Sequence, residues 1–375
     1  MGEAPIDRRQ LQARTGLAWA TVCQAVESLE ALGLIRPAGH GPSKGGRPPL
    51  DYELDPDRRT LIGLDYELST LTLRVSNLAG ESYHEERVSV EHGQDLRAAG
   101  AQILQLVQRL GKRKELLERS EQPPRGPLAF GLGVPALVFM HEQGKPVVYS
   151  SIQFFEQQGL LQKIHDLLGL PVYAGGNIHA LALAEGWFGA ARGRSSYAYL
   201  SFRTGVGMAL VLNGRVVTGA HHLAGELGQF SMDPVGPRSP HGKPGCLGQY
   251  AAGGPMLERA RSLGWSAPHG AATPLAAFVD AALAGAEVPN RLLGEAATMA
   301  GRAAAEVAHL FDPERLVMGG SLAAARALTE KPLREAFAAY AMPPHAAQVE
   351  LVFSELADGG ALGAAALALE GLMTG

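Results

Sequence analysis

Arg14-Thr15-Gly16-Leu17-Ala18-Trp19-Ala20-Thr21-Val22, continued by Val26, Leu29 and Leu32 and closed by Gly33-Leu34-Ile35, has the spacing of a helix–turn–helix. Val22, Val26 and Leu29 fall at i, i+4 and i+7, so a helix presents them on one face. Gly16 suits the tight turn before that helix, and Gly33 is placed to end it in a left-handed cap. Thr21 and Gln24 lie off the apolar face, where they could reach phosphates or base edges. Trp19 either stacks on a sugar ring or fills a core gap, and packing is the commoner role for a lone aromatic. Further on, Lys44-Gly45-Gly46-Arg47-Pro48-Pro49 is a stiff, basic tip with few side chains, of the kind that enters a minor groove. Trp19, Thr21, Gln24, Lys44 and Arg47 are therefore candidate DNA contacts; the competing reading of Thr21 and Gln24 is a solvated helix surface.

Composition bounds the rest. A chain of 375 residues has room for two or three domains, and 46% hydrophobic with 19% charged residues is the balance of a folded globular protein. The net charge of −4 advertises no polyanion partner for the whole molecule. Residues 1–50 differ: six basic side chains (Arg8, Arg9, Arg14, Arg36, Lys44, Arg47) face four acidic ones (Glu3, Asp7, Glu27, Glu30), a net of +2 that permits DNA binding. Two cysteines, Cys23 and Cys246, exclude a disulfide framework and suit a reducing cytoplasm. No stretch approaches about 20 apolar residues, so neither secretion nor a membrane span is expected.

Beyond residue 56 the pattern is strands alternating with helices, preceded by a β-meander, which indicates a two-lobed α/β core. Leu71, Leu73 and Val75 alternate with Thr70, Thr72 and Arg74, and Asn77–Gly80 reads as a turn. A helix is predicted from about Asp95 to Leu110, then a charged linker from Lys112 to Arg125. Ala129–Val134 and Val172–Ala174 read as strands, and His179–Phe188 as an amphipathic helix. Tyr197–Phe202 and Met208–Leu212 are strands, with Asn213-Gly214 as a hairpin turn. Pro274–Phe311 is Ala-rich and helical, Leu316–Met318 and Val349–Phe353 are strands, and Ala361–Leu372 is an apolar helix. The domains expected are a winged helix–turn–helix over 1–56, a small lobe over 57–176 plus 355–375, and a large lobe over 177–354.

Certain blocks, in this order and spacing, resemble the ROK family of repressors, uncharacterised reading frames and sugar kinases. They are Gly131-Leu132-Gly133-Val134-Pro135, Asn177 to Glu185 with Gly189, Thr204-Gly205-Val206-Gly207, and Asn213-Gly214 through Ala224-Gly225-Glu226-Leu227-Gly228. The resemblance implies an actin-like, ribonuclease-H-like ATPase fold behind an N-terminal winged helix. Relatives usually carry Ser where Ala18 stands, a cap worth about 1 kcal/mol, and commonly Arg at Trp19. They also have a complete helix before the segment equivalent to Ala4–Asp7, so the first helix of the module reads as truncated here.

Carried over position by position, the landmarks of the family's kinases are altered. Glu67-Leu68 stands where the first phosphate loop has Gly-Gly, putting bulk and negative charge where a phosphate should meet backbone N–H groups. The second loop, Arg203 to Met208, keeps Gly205 and Gly207, and the pair Gly319-Gly320 survives. Asn177 falls where the kinases hold the catalytic Asp, and also suits an ordinary helix N-cap. An amide cannot take the proton of a sugar hydroxyl, and such a base is worth about 10²–10⁴ in rate. The sugar motif keeps Glu226 but has Gln229 for His, while Gly176 and Gly248 replace a sugar-contacting Asn and Glu. Asn177, Glu226 and Gln229 are the candidate effector contacts. At the four zinc-ligand places stand Gln229, Ser239, His241 and Cys246; only His241 and Cys246 are good ligands where structural zinc wants four, so no metal is expected.

What the resemblance implies, with these departures, is a sugar-responsive repressor without enzymatic activity or cofactor. It would bind operator DNA as a homodimer or dimer of dimers, a sugar or sugar derivative between the lobes altering the spacing of the readers. The competing readings are an ATP-dependent sugar kinase with an unusual base, and a regulator or scaffold that has lost its ligand.

Overall fold

The computed structural model describes residues 5–41, 48–68, 70–90, 95–118, 120–121, 124–142, 145–221, 223–239, 242–268, 271, 273–356 and 359–374. Packing divides the chain into two compact units, Met1–Ala180 with Gly360–Gly375, and Leu181–Gly359. The winged segment clusters with the first.

That unit opens with β1 (Ile6–Asp7), α1 (Arg8–Thr15) and α2 (Trp19–Ala31). The Asp7 carboxylate accepts from the N–H groups of Arg9 and Gln10, and the Gln10 side chain accepts in return from the Asp7 N–H, a reciprocal cap. Gly16 makes the turn at φ 69° and Gly33 closes α2 at φ 72°. Ala18 occupies the N-cap of α2 with no side-chain hydrogen bond. β2 (Ile35–His40) and β3 (Leu50–Leu54) form an antiparallel wing, with β1 on the other side of β3. Val22, Val26 and Tyr52 are the buried core, helped by Leu11 and Ile35. Leu29, expected on the same face, is exposed, because it lies one turn beyond the part of α2 that this small core covers.

A five-strand path follows: β4 (Arg59–Glu67), β5 (Thr70–Asn77), β6 (Ser82–Ser89), β7 (Pro124–Val134) and β8 (Val172–Gly176), in the order β8-β7-β4-β5-β6. β4, β5 and β6 are an antiparallel meander, while β7 and β8 run parallel to β4. Leu71, Leu73 and Val75 are buried as their alternation requires. α3 (Leu96–Gly111), capped by Asp95, adds Leu96, Ala99, Ile103, Leu106, Val107 and Leu110 at helical spacing. The C-terminal helix Gly359–Thr374 lies so close to the sheet that a Cβ at Gly63 or Gly131 would collide with the carbonyls of Ala361 or Ala364. The stretch read as a bare linker, Lys112–Arg125, instead holds a helical turn (Lys114–Leu117) and an edge strand (Ser120–Glu121).

α4 (Asn177–Phe188) joins the units in sequence. It is not the amphipathic helix expected: every residue from Ala180 to Glu185 is buried, so its middle turns carry no solvent-facing stripe. The second unit has β9 (Tyr197–Phe202), β10 (Val206–Leu212), β11 (Arg215–Val216), β12 (Arg315–Gly320) and β13 (Glu350–Phe353), in the order β11-β10-β9-β12-β13. Again a meander is followed by two parallel strands, so the two sheets share one strand order. Asn213 at φ 51° and Gly214 at φ 75° make the expected β10–β11 hairpin. The Ala-rich α5 (Glu287–Phe311) fills the core, and its Gly301 admits the backbone of the helix Arg326–Tyr340.

Candidate functional site

On the N-terminal helical segment, Trp19, Thr21 and Gln24 are all exposed along α2; Thr21 and Gln24 lie off the face of Val22 and Val26, whereas Trp19, at i−3 from Val22, begins that face at the helix N-terminus. Trp19 fills no core gap, since 46% of it is exposed on the N-terminal turn of α2. Lys44 and Arg47 lie outside the described residues. Among the other basic groups, Arg8 sits over the Tyr52 ring at 5.5 Å, and Arg36 pairs with Glu53 at 2.8 Å.

In the first unit, Asn177 is the first residue of α4, directly after β8, with its side chain half-buried. Glu67, where the kinases have glycine, is paired in register with Thr70 at the end of the β4–β5 hairpin. Asp65, two residues earlier and buried, pairs in register with Thr72. A Cβ at Gly176 would come within 3.4 Å of the His179 ring.

In the second unit the signature block is pinned to β10 by its own glycines. Gly225 adopts φ 100°, and a Cβ there would strike the Met208 carbonyl; one at Gly228 would crowd the Val206 carbonyl. The Met208 N–H donates to the Gly225 carbonyl at 2.7 Å, and Leu227 is buried in the core. With Leu227 turned inward, Glu226 and Gln229 are left exposed on the same short helical turn. Although Glu226 is exposed as a residue, protein packed about its carboxyl desolvates that group and raises its pKa. Gly319-Gly320, retained from the kinases, has a packing cause here: Cβ atoms would collide with the Tyr199 ring and the Phe202 carbonyl.

The loop after Gln229 closes without resembling a metal site. Lys243 Nζ donates to the Gln229 carbonyl at 2.7 Å, and the buried Cys246 thiol donates to the carbonyls of Gln229 and Lys243 at 3.7 and 3.8 Å. Ser231 Oγ donates to the Pro244 carbonyl at 2.6 Å, and Tyr250 OH to Asp233 at 2.9 Å. The Lys243 ammonium stands among the would-be ligands, and Ser239 Oγ is taken up by the Lys243 N–H at 3.2 Å. That donor set does not fit Zn²⁺. His241 lies outside the described residues, and among the described residues no cluster of three potential ligands exists. The sequence alone gave no sign of the Lys243 bridge, because its partner is a backbone carbonyl 14 residues away.

Of the candidate effector contacts, the structure brings Glu226 and Gln229 together on one turn; Asn177 belongs to the other unit. Two sheets of one strand order, each a meander continued by parallel strands, define a two-unit protein of the actin-like class carrying an N-terminal helix–turn–helix. The ROK family model matches residues 69–371, and the chain belongs to that family. It is 26% identical over 340 residues to the xylose repressor of Caldicellulosiruptor bescii, covering 88% of this chain and 83% of that protein. It is also 26% identical over 384 residues to the transcriptional dual regulator NagC of Escherichia coli, covering 99% of this chain and 90% of NagC. A solved ROK transcriptional regulator, described as a homologue of the E. coli MLC protein, superposes with a TM-score of 0.76 at 22% identity, covering 97% of this chain and 91% of that one. No helix among the described residues is long and apolar enough to cross a membrane.

Proposed function

We propose that the protein is a sugar-responsive transcriptional repressor whose α2 reads operator DNA and whose kinase-like units bind the effector without phosphorylating it. The observation that carries this reading is the joining, in one chain, of the exposed Thr21 and Gln24 of α2, with Trp19 exposed at its start, to a fold shared with ROK kinases; the family resemblance puts Asn177, the first residue of α4, at the place of their base. The repressor names of the similar proteins support it.

In this reading Thr21 and Gln24 supply sequence preference, and Lys44 and Arg47 add phosphate or minor-groove affinity that falls with salt. Trp19 covers the sugar–phosphate edge. Glu226 accepts hydrogen bonds from effector hydroxyls, and Gln229 and Asn177 serve as neutral donors and acceptors. The active species is a homodimer or dimer of dimers, because paired half-sites demand paired readers. The compartment is the cytoplasm, where the DNA and the sugar are found.

The test pairs two assays on the purified chain. Fluorescence anisotropy with the DNA upstream of its own gene, with and without a panel of pentoses, hexoses and amino sugars, is expected to give binding that one sugar class shifts. An ATP-coupled assay on the same panel is expected to give no turnover. Turnover that Asn177→Ala abolishes would sink this reading.

A further inference from the structure

The charged stretch Asp55–Arg58, which joins the wing to β4, has the composition of a solvated linker, yet it is clamped on both sides. Towards the reader, the N–H of the buried Asp55 donates to the Leu34 carbonyl at 2.9 Å, while within the stretch the Asp55 carboxylate pairs with Arg58 at 3.3 Å. Towards the sheet, the Pro56 carbonyl accepts from the Leu78 N–H at 3.0 Å. The Asp57 carboxylate accepts from Asn77 Nδ2 at 2.7 Å and from Tyr83 OH at 2.9 Å.

Asn77 is fully buried at the end of β5, and its amide is saturated. Besides Asp57, its Nδ2 donates to Glu81 at 3.0 Å, while its Oδ1 accepts from the N–H groups of Ala79 and Glu81 at 3.0 and 2.9 Å. A buried amide with every donor and acceptor used permits one geometry. Leu34 makes a second, apolar bolt. It follows the Gly33 cap of α2, its N–H returns to the Leu29 carbonyl at 2.9 Å, and its side chain packs on Leu61, Leu78, Ala129, Ala365 and Ala368. The end of α2 is thereby fixed to the sheet by a polar clamp and an apolar one.

We infer that Asp55–Arg58 is a rigid coupler rather than a tether, with Leu34 and Asn77 as positioning residues that make α2 follow any displacement of the first unit's sheet. The inference rests on the repressor reading for its use, but not for its physics. Hydrogen-exchange mass spectrometry on the full chain tests the physics directly. Peptides spanning 19–31 should lose protection by about tenfold or more in Asn77→Ala, while peptides spanning 96–111 keep theirs. Should Asn77→Ala unfold the unit, Asp57→Ala removes the acceptor of the same hydrogen bond at an exposed position and should give the same local loss. Unchanged exchange of 19–31 in the variant that folds overturns the coupler.

The second arm uses the DNA upstream of the gene and the sugar that shifts it most. Wild type should respond on the order of tenfold, and Asp57→Ala should keep its DNA and sugar affinities while its response falls to near unity. A full response in Asp57→Ala overturns the coupler. No response in wild type overturns the repressor reading instead, and the exchange result still judges the clamp.

Discussion

Single residues in this chain answer to different physics from the family positions they occupy. Glu185 is buried, its carboxylate accepting from the Ala190 N–H at 2.7 Å and from Ser354 Oγ. Desolvation nonetheless dominates and raises its pKa, only partly opposed by the hydrogen bonds from Ser354 and Ala190. A carboxyl raised on folding favours the native state below the unfolded-state pKa, and that benefit is lost as pH rises through the folded value. Glu185→Gln, neutral at every pH and able to keep both partners, should match or exceed the wild-type melting temperature at pH 7, its advantage shrinking in acid. A marked loss at pH 7 alone would show that the charge itself holds the helix end. Glu226 carries a related prediction: effector binding that needs its carboxylate should weaken as pH falls, with a midpoint above the usual Glu value of about 4.3. A midpoint at or below that value would contradict the desolvation found there. Gly320 sits at φ 74° against the Phe202 carbonyl, so Gly320→Ala should cost on the order of 1–3 kcal/mol or more in urea unfolding. The sequence could not distinguish that packing cause from a phosphate-binding one, since both select Gly-Gly after a strand.

Elements were legible where the signal is local. Val22 and Val26, the Leu71-Leu73-Val75 alternation and the Asn213-Gly214 turn declare themselves within a few residues, and each takes the form its pattern requires. α4 misled because its polar and apolar residues suggest a stripe while the turns from Ala180 to Glu185 are buried on every side. The duplicated strand order was invisible, being set by pairings such as Tyr197 with Arg315 that lie far apart in sequence. Candidate effector positions could be named as residue types, but the Lys243 bridge and the Asn77 clamp could not be read, because tertiary neighbours decide their role. Two predictions belong at this scale. Ala18→Ser supplies the missing cap of α2 and should stabilise that helix by about 1 kcal/mol, read as slower exchange of its amides; unchanged exchange would mean that the cap is already satisfied by other means. Lys243→Met should lower the melting temperature by opening the loop after Gln229, whereas a chelator should leave the wild type unchanged. A chelator-induced drop would restore the metal that the donor set disfavours.

For the whole molecule, the fold is shared by ROK regulators and ROK kinases, and in the proposed reading the residues are those of a sensor. In the proposed reading Asn177 stands in for the base, and the exposed Thr21 and Gln24 of α2 belong to a segment tied to the first unit's sheet through Asp55–Arg58. A ligand can shift such a system only by its differential affinity for two arrangements, so effector control must appear as a change in DNA affinity. The most direct measurement is a DNA-binding titration of the full chain on the fragment upstream of its gene, repeated across the sugar panel at one fixed salt concentration. The repressor account predicts specific binding that one class of sugar changes by about tenfold, with no phosphorylated product formed. Binding that is absent at low ionic strength, or brisk phosphorylation of any sugar on the panel, would contradict it.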